Sequence, residues 1–310
     1  MSPTAPPGAR ALWILGPAPA FLWLPWILAV PLVLPWGQTA ASALQGLGLV
    51  AAGLLALRWP RGAWIRFPWA PLAAALVLLA PLSTPAGLLA WAVSGVAMAR
   101  ILLETFEAVP SVRGLGTISL SFNVANLAVP SLSALAFAQA PAEVVLAACA
   151  VLGALCHRAV LRRPPSAAPA GDLPSLPRLL PAAGLVATTV AIGLGPSGHA
   201  LALPTPAAAV GMTLLQAGML AGALLSTWRP LPLPLCLGLA AAGLAASLAF
   251  ALGVPASGLA VGLAFAATFP SMMRAALPEN GPSAQGALLA GRYVAITLGS
   301  ALGAALGASV

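Results

Sequence analysis

Residues 86–107 read AGLLAWAVSGVAMARILLETFE. The stretch is apolar or small along almost its whole length, with one arginine (Arg100) inside it and two glutamates (Glu104 and Glu107) at its end. A helix rises 1.5 Å per residue, so about 20 such residues cross the roughly 30 Å hydrocarbon core of a bilayer. Working outward from it, ten more segments have the same character: 11–33, 38–57, 67–83, 114–138, 142–162, 178–195, 206–228, 231–253, 256–277 and 284–308. The pattern predicts an all-α polytopic membrane protein with about eleven transmembrane helices.

Composition excludes most other classes. Of 310 residues, 61% are hydrophobic and only 6% are charged, against about 25% charged in an ordinary soluble domain. So few charges cannot cover a soluble globule of this size, which rules out a cytosolic enzyme, a secreted disulfide scaffold and a disordered chain. The net charge is +8 and every one of the thirteen basic residues is arginine. In a soluble protein such a balance would point to nucleic acid. Here the arginines fall singly or in small groups between apolar runs, so no nucleic-acid partner is expected, and membrane lipid is. Cys149, Cys156 and Cys236 lie in or beside apolar runs without a C-x-x-C pair, and read as small buried residues. With His157 and His199 they form no metal-ligand pattern, and no cofactor is expected. The run 11–33 is too long for the apolar part of a cleaved leader, and reads as a retained span.

Arginine placement sets the expected topology. Arg10, Arg58, Arg61, Arg66, Arg113, Arg158, Arg162, Arg163, Arg178, Arg229 and Arg274 all fall on one side if the spans alternate; the opposite loops, near 34–37, 84–85, 139–141, 196–205 and 254–255, hold none. That asymmetry predicts a cytoplasmic N-terminus in the inner or plasma membrane. His199, in one of the outer loops, is expected to be solvated. The longest polar connection is rich in Pro, Ala and Ser, and divides the chain into a six-helix half (1–163), a cytoplasmic linker (164–177) and a five-helix half (178–310). Pro17, Pro19, Pro25 and Pro31 predict a kinked first span. Trp36, Trp59, Trp64, Trp69 and Trp228 lie near span ends, as an aromatic belt requires.

The halves echo each other. Pro110-Ser-Val-Arg-Gly114 enters the fifth span, and Pro282-Ser-Ala-Gln-Gly286, 172 residues on, enters the eleventh. Gly53-Leu-Leu-Ala-Leu-Arg58-Trp-Pro60 is echoed by Gly222-Ala-Leu-Leu-Ser-Thr-Trp-Arg229-Pro230. Two echoes at similar offset, each at a matching topological place, indicate a duplicated unit.

These residues resemble the major facilitator superfamily, which has two six-helix halves and a motif G-x-L-a-D-R-x-G-R-R between its second and third spans. The matching stretch here runs from Gly53 through Arg58 to Arg61, with Leu57 in place of the motif's aspartate and Pro60 in place of its second glycine. Residues 109–114, running on to Pro130, resemble the loop between the family's fourth and fifth spans. A twelfth span is missing, and the arginine that the family often carries early in span 4 would fall near Trp91. The resemblance implies a secondary transporter that alternates access to a central cavity between the halves. It also assigns Gly53, Arg58 and Arg61 to a gating motif at the cytoplasmic face, and Glu104, Glu107 and Arg113, by their position at the cytoplasmic end of span 4 and the loop after it, join them as a gating and charge network.

An ionisable group inside a span costs about 2.5–3.5 kcal/mol on insertion scales and needs a reason. Arg100 and Arg292 lie roughly 10–12 Å deep by helical rise. Facing one cavity they would suit a small organic anion or an amphipathic molecule, because guanidinium matches a carboxylate or phosphate bidentately. The competing reading is structural, since Glu104 sits four residues after Arg100 on the same helix face. Glu104 and Glu107 are candidates for a coupling proton or for a charge network with Arg100 and Arg113. Asn123 and Asn126 on one face of span 5, Tyr293 beside Arg292, and Gln45 and Gln216 in mid-span either line a cavity or join helices. Gly291, Gly299, Gly303 and Gly307 predict close helix packing along the last span.

No G-x-S-x-G, H-E-x-x-H or phosphate-loop motif occurs, so neither an enzyme nor an ATP-driven pump is expected. Two other readings stay open: a ten-span drug/metabolite-type carrier, which predicts five-plus-five repeats at a shorter offset, and a non-transporting subunit or assembly factor with the same layout.

Overall fold

In a computed structural model, the structure describes residues 8–33, 38–59, 63–81, 84–109, 111–161, 177–203, 205–277 and 282–310. Arg61, Trp36 and the linker up to residue 176 lie outside them. The described residues are helical, with no strand. The α-helices in chain order are α1 (Ala9–Leu15), α2 (Pro17–Val33), α3 (Gln38–Arg58), α4 (Trp69–Leu79), α5 (Pro85–Ala108), α6 (Val112–Phe137), α7 (Ala142–Val160), α8 (Leu179–Ala202), α9 (Thr205–Trp228), α10 (Leu233–Ala251), α11 (Ser257–Ala276) and α12 (Pro282–Gly307). Among the described residues, eight of them, α5 through α12, are long and apolar enough to cross a membrane. The chain is a multi-pass α-helical membrane protein.

Local chemistry starts and stops these helices. Thr84 caps α5 by accepting from the Gly87 amide at 3.2 Å, and Pro85 fills the first turn, where its missing N–H costs nothing. Ser111 caps α6 in the same way through the Gly114 amide at 3.0 Å. Between α10 and α11 the chain reverses through Gly253, whose φ of +88° only glycine adopts freely.

Four expectations change. Segment 67–83 is not a full span: α4 has 11 residues, roughly 16 Å of helix, because the chain turns extended at Ala80 and meets Pro81. The first segment divides at Gly16 into α1 and α2. The outer loop expected at 196–205 is largely helix, since α8 continues through Pro196 to Ala202. Gly291 faces open space, whereas Gly299, Gly303 and Gly307 lie against the α8 backbone at Val190, Leu194 and Gly198.

Two compact units form. Unit 1 comprises Met1–Val109, Val124–Ser175 and Asn280–Ala290; unit 2 comprises Pro110–Asn123, Leu176–Glu279 and Gly291–Val310. In unit 1, α3 crosses α5 backbone to backbone, because Gly48 meets the Ala92 carbonyl and Gly95 meets the Gln45 carbonyl. In unit 2, α9 crosses α11 by the same device: Gly218 meets the Leu259 carbonyl and Gly262 meets the Leu215 carbonyl. Packing of α4 and α2 on α5 in unit 1 corresponds to packing of α10 and α8 on α11 in unit 2. The difference is that α7 sits against both α2 and α4 in unit 1, whereas α8 and α10 touch directly in unit 2. Glycine-mediated crossings of this kind gain dispersion contacts that lipid tails cannot supply.

Candidate functional site

Unit 1 encloses two polar clusters. In the first, Gln45 is fully buried and its Nε2 donates to the Leu22 carbonyl at 2.8 Å and to Ser94 Oγ at 3.0 Å. Ser94 in turn donates to the Trp91 carbonyl at 2.8 Å. Trp91 is buried and meets Trp26 edge to face at 5.2 Å. This cluster ties α2, α3 and α5 together and leaves no cation there.

The second cluster is charged. Arg100 Nε donates to Glu104 Oε1 at 3.1 Å, and one terminal nitrogen donates to the Phe67 carbonyl at 2.6 Å. His157 of α7 brings Nε2 to 3.2 Å from the second carboxylate oxygen of Glu104 without forming a hydrogen bond to it. The Glu104 side chain is only 7% exposed, and desolvation makes a lone carboxylate there expensive; Arg100 offsets its charge. Arg100 thus spends its fork on Glu104 and on the loop before α4. Of the other residues expected in a gating and charge network, Arg58 and Arg113 are exposed and Glu107 is half-buried. Gly53 lies against the Gly286 carbonyl and Ala290 at the start of α12.

Unit 2 holds Arg292, the second arginine that the sequence places deep in a span. Arg292 Nε donates to Thr189 Oγ1 at 3.0 Å, and Thr189 donates onward to the Leu185 carbonyl at 2.7 Å. The guanidinium carbon lies 4.8 Å from the centre of the Phe269 ring and 5.9 Å from that of Phe265, within cation–π range. Among the described residues no carboxylate pairs with Arg292. Its two terminal nitrogens are left without a hydrogen-bond partner there.

The remaining candidates are dispersed. Asn123 is buried in unit 2 and donates to the Ser119 carbonyl of its own helix at 2.8 Å, leaving its buried oxygen without a partner. The side-chain oxygens of Gln216 in unit 2 and Asn126 in unit 1 are also buried and unpartnered. Tyr293 is half-buried next to Arg292, and its carbonyl accepts from Thr297. No hydrogen bond joins Asn123 or Gln216 to Arg292 among the described residues. Sequence reasoning missed Thr189, Phe265 and Phe269 around Arg292. The available signal was the one-turn spacing of the two phenylalanines on α11.

His199 is a correction. It is not solvated: it is fully buried, its Nδ1 donates to the Phe250 carbonyl at 3.1 Å, and its ring stacks on Phe250 at 4.1 Å between centroids. Its other ring nitrogen packs on Gly211 of α9. The residue locks three helices of unit 2.

Among the described residues no three His, Cys, Asp or Glu side chains group as metal ligands. Cys149, Cys156 and Cys236 are free thiols. No family model matches the chain, and no curated protein matches it either. Fold and side chains define its class: a multi-pass helical membrane protein in which Arg292, inside a long apolar helix, has no carboxylate partner among the described residues.

Proposed function

We propose that the protein is a secondary transporter of the major facilitator type, carrying a small organic anion by exposing the Arg292 site alternately to the two sides of the membrane. One observation carries the reading: Arg292 sits inside a long apolar helix, held by Thr189 and backed by Phe269, with no acidic partner among the described residues. A desolvated, unpaired cation is expensive in such a place, and an anionic ligand supplies the missing charge. The recurrence of the α3–α5 crossing as α9–α11 supports a duplicated, transporter-like architecture.

A second reading, a non-transporting subunit of the same layout, draws on Leu57 in place of the motif aspartate and on the shortness of α4. Flux assays on the purified full chain in liposomes separate the two. Transport predicts saturable anion entry above protein-free vesicles, reduced by about a hundredfold in Arg292→Gln, the scale of one intramembrane charge contact. Equal flux with and without protein favours the subunit.

A further inference from the structure

The charge balance around the two intramembrane arginines narrows the ligand. We infer that the Arg292 site takes a singly charged carboxylate attached to an apolar, ring-sized body, and disfavours dicarboxylates and phosphate monoesters. The inference rests on the anion-transport reading above.

Three observations lead to it. First, the sequence offers two candidate cations, but they are not equivalent. Arg100 and Glu104 cancel each other at 3.1 Å, and a terminal nitrogen of Arg100 is committed to the Phe67 carbonyl. Of the two, Arg292 alone has no carboxylate partner among the described residues, so the site balances one negative charge. A second charge on the ligand would stand in low dielectric without a counter-ion.

Second, Arg292 is oriented before any ligand arrives. Its Nε edge is fixed by Thr189, which is itself 4% exposed and anchored to the Leu185 carbonyl. This chain of bonds leaves the edge formed by the two terminal nitrogens for recognition. Two parallel N–H donors match the two oxygens of one carboxylate.

Third, the surroundings are aromatic. Phe265 and Phe269 are half-buried, and their rings are nearly parallel, 26° apart in plane with centroids at 6.4 Å. Both rings lie beside the guanidinium, so a ligand held by the fork meets aromatic carbon, where an apolar body gains and a second polar head loses its water without replacement.

The test is calorimetric titration of the purified full chain with benzoate, acetate, isophthalate and phenyl phosphate at neutral pH, with thermal unfolding run on every variant. Benzoate is expected to bind at least about tenfold more tightly than either dianion, on the scale of an uncompensated charge at membrane depth. Its advantage over acetate should include a ring contact worth about threefold to tenfold. Phe269→Leu should shrink the benzoate-to-acetate ratio while leaving acetate binding in place; Arg292→Lys, which keeps the charge and loses the fork, should weaken both. A dianion binding more tightly than benzoate, or acetate equal to benzoate, overturns the inference and leaves the anion site standing. Absence of binding by all four ligands to folded wild-type protein overturns the anion-transport reading together with the inference.

Discussion

At the residue scale the two intramembrane arginines divide their tasks by partner. Arg100 neutralises Glu104 and pins the loop before α4, so its removal strands a buried carboxylate. Arg100→Leu should therefore cost about 3–5 kcal/mol of stability, and the double variant Arg100→Leu/Glu104→Leu should recover most of it, because replacing both charges with apolar groups removes the desolvation penalty as well as the attraction. Chemical unfolding in detergent measures the cycle; additive losses would show that the pair is not a unit. His199 is a second test. A β-carbon at position 211 would collide with the His199 ring, so Gly211→Ala should destabilise, and adding His199→Ala should restore part of the loss by vacating that space. Thermal midpoints of the three variants decide it. The Arg100–Glu104 pair was legible from its one-turn spacing. His157 was not, because its approach to Glu104 depends on how α7 packs, and no local pattern encodes that. Phe265 and Phe269 share one helix face by their spacing, but the sequence does not say that a guanidinium from another helix meets that face.

At the element scale, small residues decide where helices meet. Gly303 abuts the Leu194 backbone, while Gly291, on the same helix, meets nothing within 4 Å. Gly303→Val should lower the thermal midpoint clearly, whereas Gly291→Ala should stay within about 0.5 kcal/mol of wild type. Equal effects would show that the glycine spacing carries no packing information. Helix existence was readable from apolar run length, because lipid demands continuous backbone hydrogen bonding within each segment. Helix ends were less readable. Where apolar run length places an outer loop from residue 196, α8 continues through Pro196 and delivers His199 to Phe250, a tertiary bond that favours continuation. Conversely α4 stops early at Ala80, where hydropathy alone sees no change.

At the scale of the whole molecule, the glycine-mediated crossing of α3 and α5 in unit 1 has a counterpart in that of α9 and α11 in unit 2, and Arg292 in unit 2 has no carboxylate partner among the described residues. The arginine distribution predicts that a reporter fused before Met1 is active in the cytoplasm; activity on the outer side would reverse the topology. The central claim is that the Arg292 site faces each side of the membrane in turn. The most direct measurement places a single cysteine at position 269, by Phe269→Cys in a background lacking Cys149, Cys156 and Cys236. It then follows labelling by a membrane-impermeant thiol reagent applied from either side. The account predicts labelling from both sides, slowed by benzoate; labelling from one side alone, or from neither, would contradict it.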